Sequence, residues 1–194
     1  MTHRIDTEAM DQRMAMLMIE PVEMMPYDPQ WAVAYSIEER FLWDVLPHDL
    51  VLHIAHIGST AVPGLSAKPI IDVQVGVNDP ERVRSEVVPR MTDAGYEFIW
   101  RNSIGEREPF YAWFLKRDVA GRRTHHIHMV KPDEASEERI LFRDRLRDHL
   151  EEAVQYEFIK RELALHHGND RSAYTRGKSA FIAEVLRRAR FSAE

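Results

Sequence analysis

The stretch from Pro69 to Val77 constrains the fold of this 194-residue chain more than any other. Its residues alternate with a period of two, which is the period of a β-strand. A carboxylate in so apolar a strand is costly unless it is paired or binds a cation, so we expect Asp72 to have a functional partner. One face of the strand would carry Ile71, Val73, Val75 and Val77, and the other Ile70, Asp72, Gln74 and Gly76.

Helix and strand patterns lie on both sides of this strand. Asp28-Pro29 is typical of a helix start, and the helical spacing of apolar residues continues to about Leu46. A second helix opens at Pro80, and Pro89 must bend or split it. The other predicted strands are Leu50–Ile57, Tyr96–Trp100, Phe110–Arg117 and Arg123–Val130, and the later helices are Ser136–His149, Glu151–His166 and Ser172–Arg190.

This order of elements predicts an α+β domain with a mixed β-sheet core, flanking helices and a C-terminal helical layer. The domain would span residues 22–190. Residues 1–21 form an N-terminal extension, either flexible or a short amphipathic helix, since Met10, Met14 and Leu17 recur at helical spacing. The extension could pack on the domain or support a homodimer.

Composition excludes several classes of function. The chain has no Cys, which removes disulfide scaffolds, thiolate zinc sites and cysteine nucleophiles. No apolar run has the length of a signal peptide or a membrane span, so we expect a cytoplasmic protein with no membrane partner. A formal net charge of −6 argues against a nucleic-acid binder, although the region after residue 120 is slightly basic and leaves a local basic face open.

The loop after the first predicted strand has the composition of a phosphate-binding turn. Gly58 would let backbone N–H groups approach a phosphate closely, Ser59 and Thr60 would add hydroxyl donors, and Lys68 would supply a charge. The spacing differs from that of a Walker motif. The alternative is a tight turn with a serine cap.

Two other patterns could carry chemistry. On the predicted strand Arg123–Val130, His126 and His128 would share one face, where two imidazoles can bind one metal or one phosphate. The alternative is a pair of hydrogen-bonded strand histidines. Tyr174 and Lys178 are four residues apart and would lie on one helical face, where they would bind a phosphate or nucleotide. The alternative is an ordinary solvated face.

Together these stretches closely resemble the GrpB family. The specific block is HIGSTAVPGLSAKPIIDVQVGV from His56 to Val77. The resemblance extends from about Val22 to Leu186, and its other matching pieces are Pro26-Tyr27-Asp28-Pro29-x-Trp31, Gly95-Tyr96, His126-x-His128, Phe142 to Arg147, and Tyr174-Thr175-x-x-Lys178-Ser179.

The resemblance implies a branch of the nucleotidyltransferase superfamily, with a small mixed-sheet core. Gly58 and Ser59 would then hold phosphates, and Asp72 would bind Mg²⁺. The position of that superfamily's second carboxylate is occupied by Gln74, and histidines stand where a third carboxylate is expected. The two-metal arrangement for phosphoryl transfer therefore looks incomplete.

These observations give two main hypotheses and a third. The first is a metal-assisted nucleotidyl or phosphoryl transferase of unknown acceptor, with Asp72, Gln74 and His128 as metal ligands. In this hypothesis Asp72, His126 and His128 are catalytic, and a nucleotide or phosphorylated small molecule is the partner. The second is a non-catalytic domain that binds a nucleotide or phosphorylated ligand at a degenerate site. The third is a His-rich transition-metal site with hydrolytic chemistry.

Overall fold

A computed structural model describes Leu17 and residues 23–100, 111–168 and 170–191. The helices are α1 (Gln30–Val45), α2 (Pro80–Arg82), α3 (Val88–Asp93), α4 (Glu134–Asp148), α5 (Leu150–His167), α6 (Arg171–Arg176) and α7 (Ser179–Phe191). The strands are β1 (Val51–Ile57), β2 (Ile71–Val77), β3 (Glu97–Trp100), β4 (Tyr111–Arg117) and β5 (Arg123–Val130). A 3₁₀ turn covers Ser59–Ala61, and a π-helical turn covers Val83–Val87.

The five strands form one mixed sheet in the order β1-β2-β5-β4-β3. The central pair, β2 and β5, is parallel, and every other neighbouring pair is antiparallel. This arrangement confirms the predicted α+β class with a mixed sheet. It also places β2, the strand that carries Asp72, between β1 and β5 near the middle of the sheet.

The two faces of the sheet have different covers, as the alternation in β2 predicts. Val73, Val75 and Val77 lie in the main hydrophobic core, together with Leu42 of α1. The opposite face of β2 lies under the C-terminal helices. There Gln74 is completely buried, and its amide donates a hydrogen bond to the backbone oxygen of Ser136 in α4, at 3.1 Å.

A proline and a glycine decide where two of the predicted helices break. Pro89 lies at the start of α3, directly after the π-helical turn, so the predicted helix is split there, as a residue without an N–H requires. The single helix expected over Ser172–Arg190 is wrong, because the chain breaks between α6 and α7. A Cβ at Gly177 would lie 2.4 Å from a methyl group of Leu163, so glycine is needed for this turn to pass against α5.

Most of the N-terminal extension, including Met10 and Met14, lies outside the described residues, as do Phe110 and Asn169. Leu17 is described, and it is buried in a small cluster with Ile99, Trp113 and Leu115. In the described part of the chain, no helix is both long and apolar enough to cross a membrane.

Candidate functional site

The parallel pairing of β2 with β5 brings Asp72 directly beside His126 and Gln74 beside His128. Asp72 Oδ1 lies 2.9 Å from His126 Nδ1 and 3.3 Å from His128 Nε2. The three side chains offer ligand atoms that all lie within 4.8 Å of one another. His125 points to the other face, where its Nε2 lies 3.9 Å from Glu38. The structure therefore brings together the carboxylate and the two histidines that the sequence singles out.

The protonation of this cluster follows from its burial and hydrogen bonds. Burial opposes ionisation of Asp72, but the two imidazoles outweigh it and hold the pKa of the carboxyl well below its usual range. Burial lowers the pKa of His126 to about 4. His126 is therefore neutral at pH 7, with Nδ1–H donating to Asp72. Its buried Nε2 has no hydrogen-bond partner among the described residues.

Position 58 requires glycine, both for its backbone conformation and because Asp72 lies close to it. Its φ of +73° lies in the left-handed region that favours glycine. A Cβ at this position would also lie 2.7 Å from Asp72 Oδ2. The glycine therefore makes room for the carboxylate, a reason that differs from the phosphate approach expected from the sequence.

The turn after Gly58 is held by buried polar contacts. The Thr60 hydroxyl donates to the backbone oxygen of Ile70 at 3.2 Å, and His56 Nε2 lies 3.0 Å from the same hydroxyl. Because the hydrogen of the Thr60 hydroxyl is used in the bond to Ile70, His56 must donate from Nε2 to the Thr60 oxygen. Burial lowers the pKa of His56 to about 4, which agrees with a neutral ring. Thr60 thus holds the turn through its hydroxyl.

Two arginines of α4 also hold this turn from the side of the helical layer. Arg143 donates to the backbone oxygen of His56 at 2.8 Å, and Arg147 donates to that of Ala61 at 2.9 Å. These residues lie four apart and so share one face of α4. The face is therefore packed on the turn rather than solvated.

A cavity of about 600 Å³ opens between the sheet and the C-terminal helices, and all three residues of the Asp72 cluster line it. This volume is in the range of small-molecule sites. Its apolar wall includes Val62, Trp113, Phe142, Leu146 and Ile182, and its charged wall includes Lys68, Glu138, Arg139, Arg143 and Lys178. Cations outnumber anions on that wall, so the cavity suits an anionic ligand with an apolar part.

A smaller cavity of about 120 Å³ adjoins it and is lined by all six predicted phosphate-binding residues: Gly58, Ser59, Thr60, Lys68, Tyr174 and Lys178. The Nζ atoms of Lys178 and Lys68 lie 4.7 and 5.5 Å from the centre of the Tyr174 ring. Tyr174 and Lys178 are therefore neighbours, as expected, although a helix break separates them. The same cavity is lined by Asp72 and His126.

The structure does not bring Gln74, the third expected metal ligand, into the cluster. Its Oε1 accepts a hydrogen bond from Arg139 at 3.1 Å, and its Nε2 donates to Ser136. Both ends of the amide are therefore used to attach α4 to the sheet. The alternation in β2 gives Gln74 the correct face, but not its depth beneath α4.

Sequence reasoning missed two residues of the smaller cavity, Tyr156 and Lys160. Both lie on α5, and the Ser59 side chain hydrogen-bonds the Tyr156 hydroxyl. With Ala153, these residues occupy the buried stripe of the helix. A lysine on an otherwise buried helical stripe was the available signal.

The donor set of the cluster suits some metals better than others. Mg²⁺ prefers oxygen ligands, and Asp72 is the single carboxylate in the cluster. Two imidazoles with one carboxylate are typical of divalent first-row metals such as Fe²⁺ or Zn²⁺, and Mn²⁺ also accepts such mixed nitrogen and oxygen ligands. The residues therefore fit such a metal better than the expected Mg²⁺.

Comparisons with known proteins agree on one family. Residues 21–188 match the family model described as GrpB protein. The UPF0157 protein PA4798 of Pseudomonas aeruginosa is 39% identical over 171 residues, which cover 87% of this chain and 67% of that protein. The glutamate-rich protein GrpB of Alkalihalophilus pseudofirmus is 31% identical, over 85% of this chain and 94% of that protein.

The chain is also similar to a solved structure and to two further proteins. The crystal structure of the conserved protein GrpB from Enterococcus faecalis superposes with a TM-score of 0.73, at 31% identity, and covers 86% of this chain and 96% of that one. The chain spans only 45% of the UPF0157 protein YqkA of Bacillus subtilis. A dephospho-CoA kinase of Mycolicibacterium paratuberculosis matches over 80 residues, 19% of its length, at 36% identity. On the family match and its extent, the chain belongs to the GrpB family.

Proposed function

We propose that this protein binds a nucleotide or another phosphorylated small molecule in the cavity and catalyses metal-assisted nucleotidyl or phosphoryl transfer. One observation carries the proposal: a metal-type cluster of Asp72, His126 and His128 lines a cavity with a cationic wall. The match to a protein named dephospho-CoA kinase gives separate support for a phosphorylated ligand.

The residues divide between phosphate binding and metal binding. Lys68 and Lys178 would neutralise phosphate oxygens, and the Ser59 hydroxyl would add a hydrogen bond. Asp72 is ionised and would bind the metal together with the imidazoles of His126 and His128, and His126 also holds the carboxylate in place through Nδ1. A divalent ion bound there would stabilise the negative charge that develops on a transferred phosphoryl group.

A nucleotidyltransferase-like origin of the fold belongs to the same proposal. The mixed sheet supports it, as does a Gly-Ser turn that directly follows β1 and precedes an aspartate on β2. The cluster has fewer carboxylates than the resemblance to the nucleotidyltransferase superfamily implies. This difference favours a second candidate, a domain that binds the same ligand without transferring it. Gln74 is the observation behind this candidate, because its amide is used inside the fold.

The test compares Asp72→Asn with Asp44→Asn, a matched change at an exposed carboxylate of α1. Metal affinity is measured with Mn²⁺, and transfer is measured with radiolabelled nucleoside triphosphates under single-turnover conditions. We expect Asp72→Asn to lose at least tenfold in Mn²⁺ affinity and all label transfer, with Asp44→Asn like the wild type. Nucleotide binding without label transfer, unchanged by Asp72→Asn, would instead establish the non-catalytic candidate.

A further inference from the structure

Lys160 is a buried cation that the proposed chemistry leaves unused. The residue is 2% exposed, and its Nζ donates to the backbone oxygen of Ser66. The same Nζ lies 5.0 Å from the centre of the Tyr156 ring. Both contacts are to dipoles or to a π face, and neither supplies a negative charge.

No carboxylate of the described residues forms an ion pair with Lys160. The nearest candidate on its own helix, Glu157, is already bound by Ser66 at 2.8 and 3.2 Å and by Arg161 at 2.7 Å. Burial, with a smaller contribution from Lys178, lowers the pKa of Lys160 to about 7. A buried ammonium without a counter-ion is costly, and an anion beside it would remove that cost.

The place for such an anion is the smaller cavity, which Lys160 lines together with Gly58, Ser59 and Lys178. Its volume of about 120 Å³ is too small for a whole ligand, since small-molecule sites occupy roughly 300–1,000 Å³. It shares lining residues, Asp72 among them, with the 600 Å³ cavity, so the two spaces adjoin. One part of a ligand would therefore enter the smaller space.

We infer that the smaller cavity is a subsite for the terminal phosphate group of the ligand, with Lys160 as its innermost cationic contact. The rest of the ligand lies in the wider cavity, against Trp113 and Phe142. A terminal phosphate fits this place because it carries −1.5 to −2 charges near pH 7 and three acceptor oxygens. The inference rests on the proposed function for the presence of a phosphorylated ligand, and it adds the orientation of that ligand.

The test uses the full chain in the presence of EDTA, with inorganic phosphate, AMP and adenosine as probes in calorimetric titrations. Lys160→Met removes the charge and keeps the length, and Lys131→Met is the matched change at an exposed lysine. We expect phosphate and AMP to bind at least tenfold more weakly to Lys160→Met than to the wild type or to Lys131→Met. Adenosine, which has no phosphate, should bind all three proteins equally weakly.

A purely structural lysine gives a different result. If Lys160 serves only to hold Ser66, Lys160→Met unfolds at a lower temperature but binds phosphate as the wild type does, and this outcome overturns the inference. A measurement on the wild type covers the case in which the variant does not fold. In wild-type protein with ¹³C-labelled lysine, the NMR signal of Lys160 Cε should shift and the pKa of Lys160 should rise when phosphate is added. A Cε signal that does not change with phosphate also overturns the inference.

The subsite and the proposed function can fail separately. Lys160→Met should keep wild-type Mn²⁺ affinity, and Asp72→Asn should keep phosphate binding in EDTA. Equal phosphate affinity of Lys160→Met and wild type removes the subsite and leaves the proposed function standing. If the wild type binds neither phosphate nor AMP, the ligand class falls together with the subsite, whereas Mn²⁺ binding at Asp72 is still measured independently.

Discussion

Close neighbours restrict which residue type can occupy a position at the Asp72 cluster. Gly58 combines a positive φ with a distance of only 2.7 Å between its would-be Cβ and the Asp72 carboxylate. Gly121, in the turn between β4 and β5, has a similar φ of +79° but nothing within 4 Å of its would-be Cβ. The two glycines therefore share a positive φ and differ in their surroundings, and Gly58, with a ψ of −172°, also lies in a region that is essentially restricted to glycine.

We predict that Gly58→Ala destabilises the fold by at least about 1 kcal/mol more than Gly121→Ala. Both changes place a side chain at a positive φ, which costs on the order of 1–3 kcal/mol. Only Gly58→Ala also displaces the carboxylate from its two histidines, so its Mn²⁺ affinity should fall as well. The free energies of unfolding come from urea titrations. Equal losses in the two variants would show that the contact with Asp72 has no energetic weight.

The grouping of Asp72, His126 and His128 could be predicted from the sequence. The period of two on β2 and β5 assigns Asp72, His126 and His128 to one face, and the register then places them within hydrogen-bond reach. The same reasoning could not place Gln74 or Lys160. Their environments depend on how α4 and α5 pack on the sheet. The buried stripe of α5 indicates that Lys160 is buried, but it does not indicate which cavity the residue lines.

Among the elements, α4 has the largest role in shaping the turn after β1. Its first turn is fixed by a capping box, in which Asp133 accepts from the Ser136 N–H and Ser136 Oγ accepts from the Asp133 N–H. From there the helix directs Arg143 and Arg147 to carbonyl oxygens on either side of Gly58. The helix thus connects the C-terminal layer to the turn after β1.

We predict that Arg147→Gln loosens this turn and leaves the helix intact. The change removes the hydrogen bond to Ala61, so amide hydrogen exchange in residues 58–62 should be faster by about fivefold or more, as expected for the loss of about 1 kcal/mol. The control is Arg145→Gln on the same helix, which breaks the ion pair with Glu152 between α4 and α5.

Arg145→Gln should speed exchange at the start of α5 and leave the turn unchanged. If both variants speed exchange in the turn to the same degree, the effect is a general loss of stability, and Arg147 has no specific hold on Ala61. A turn whose exchange is unchanged in Arg147→Gln would contradict the role given to α4.

Element boundaries were largely predictable, because most are set by local chemistry. Proline at the start of α3 and the turn before β5 follow directly from the residues that occupy them. The break at Gly177 was not predictable in this way, since it depends on a contact with Leu163 of a different helix. Local residues therefore predict the order of the elements, whereas some helix ends depend on contacts with residues distant in the sequence.

At the scale of the whole molecule, the candidate site lies where the sheet meets the C-terminal helical layer. The order of elements predicts both layers, but it does not predict which residues of α5 and α7 meet the ends of β1, β2 and β5. Burial at this junction has a global consequence, because His56 is buried there as a neutral ring. Its pKa of about 4 lies below the ordinary value of 6.5.

We predict that the protein loses stability as the pH falls from about 6.5 to 4, in part because of His56. In that interval the unfolded chain binds a proton at this histidine and the folded chain does not, so stability rises with pH, by up to about 1.4 kcal/mol per unit. Above pH 6.5 the ring is neutral in both states, and its contribution is constant.

The measurement compares the pH dependence of the free energy of unfolding for the wild type and His56→Gln. Glutamine can still donate to the Thr60 hydroxyl but does not titrate, so the variant should have the shallower slope between pH 4 and 6.5. His126 shifts in the same direction but titrates in both proteins, and its effect cancels in the difference. His166→Gln, at an exposed site on α5, should follow the wild type. Parallel curves for the wild type and His56→Gln would mean that His56 is protonated in the fold, with no neutral donor to hold the turn beside Asp72.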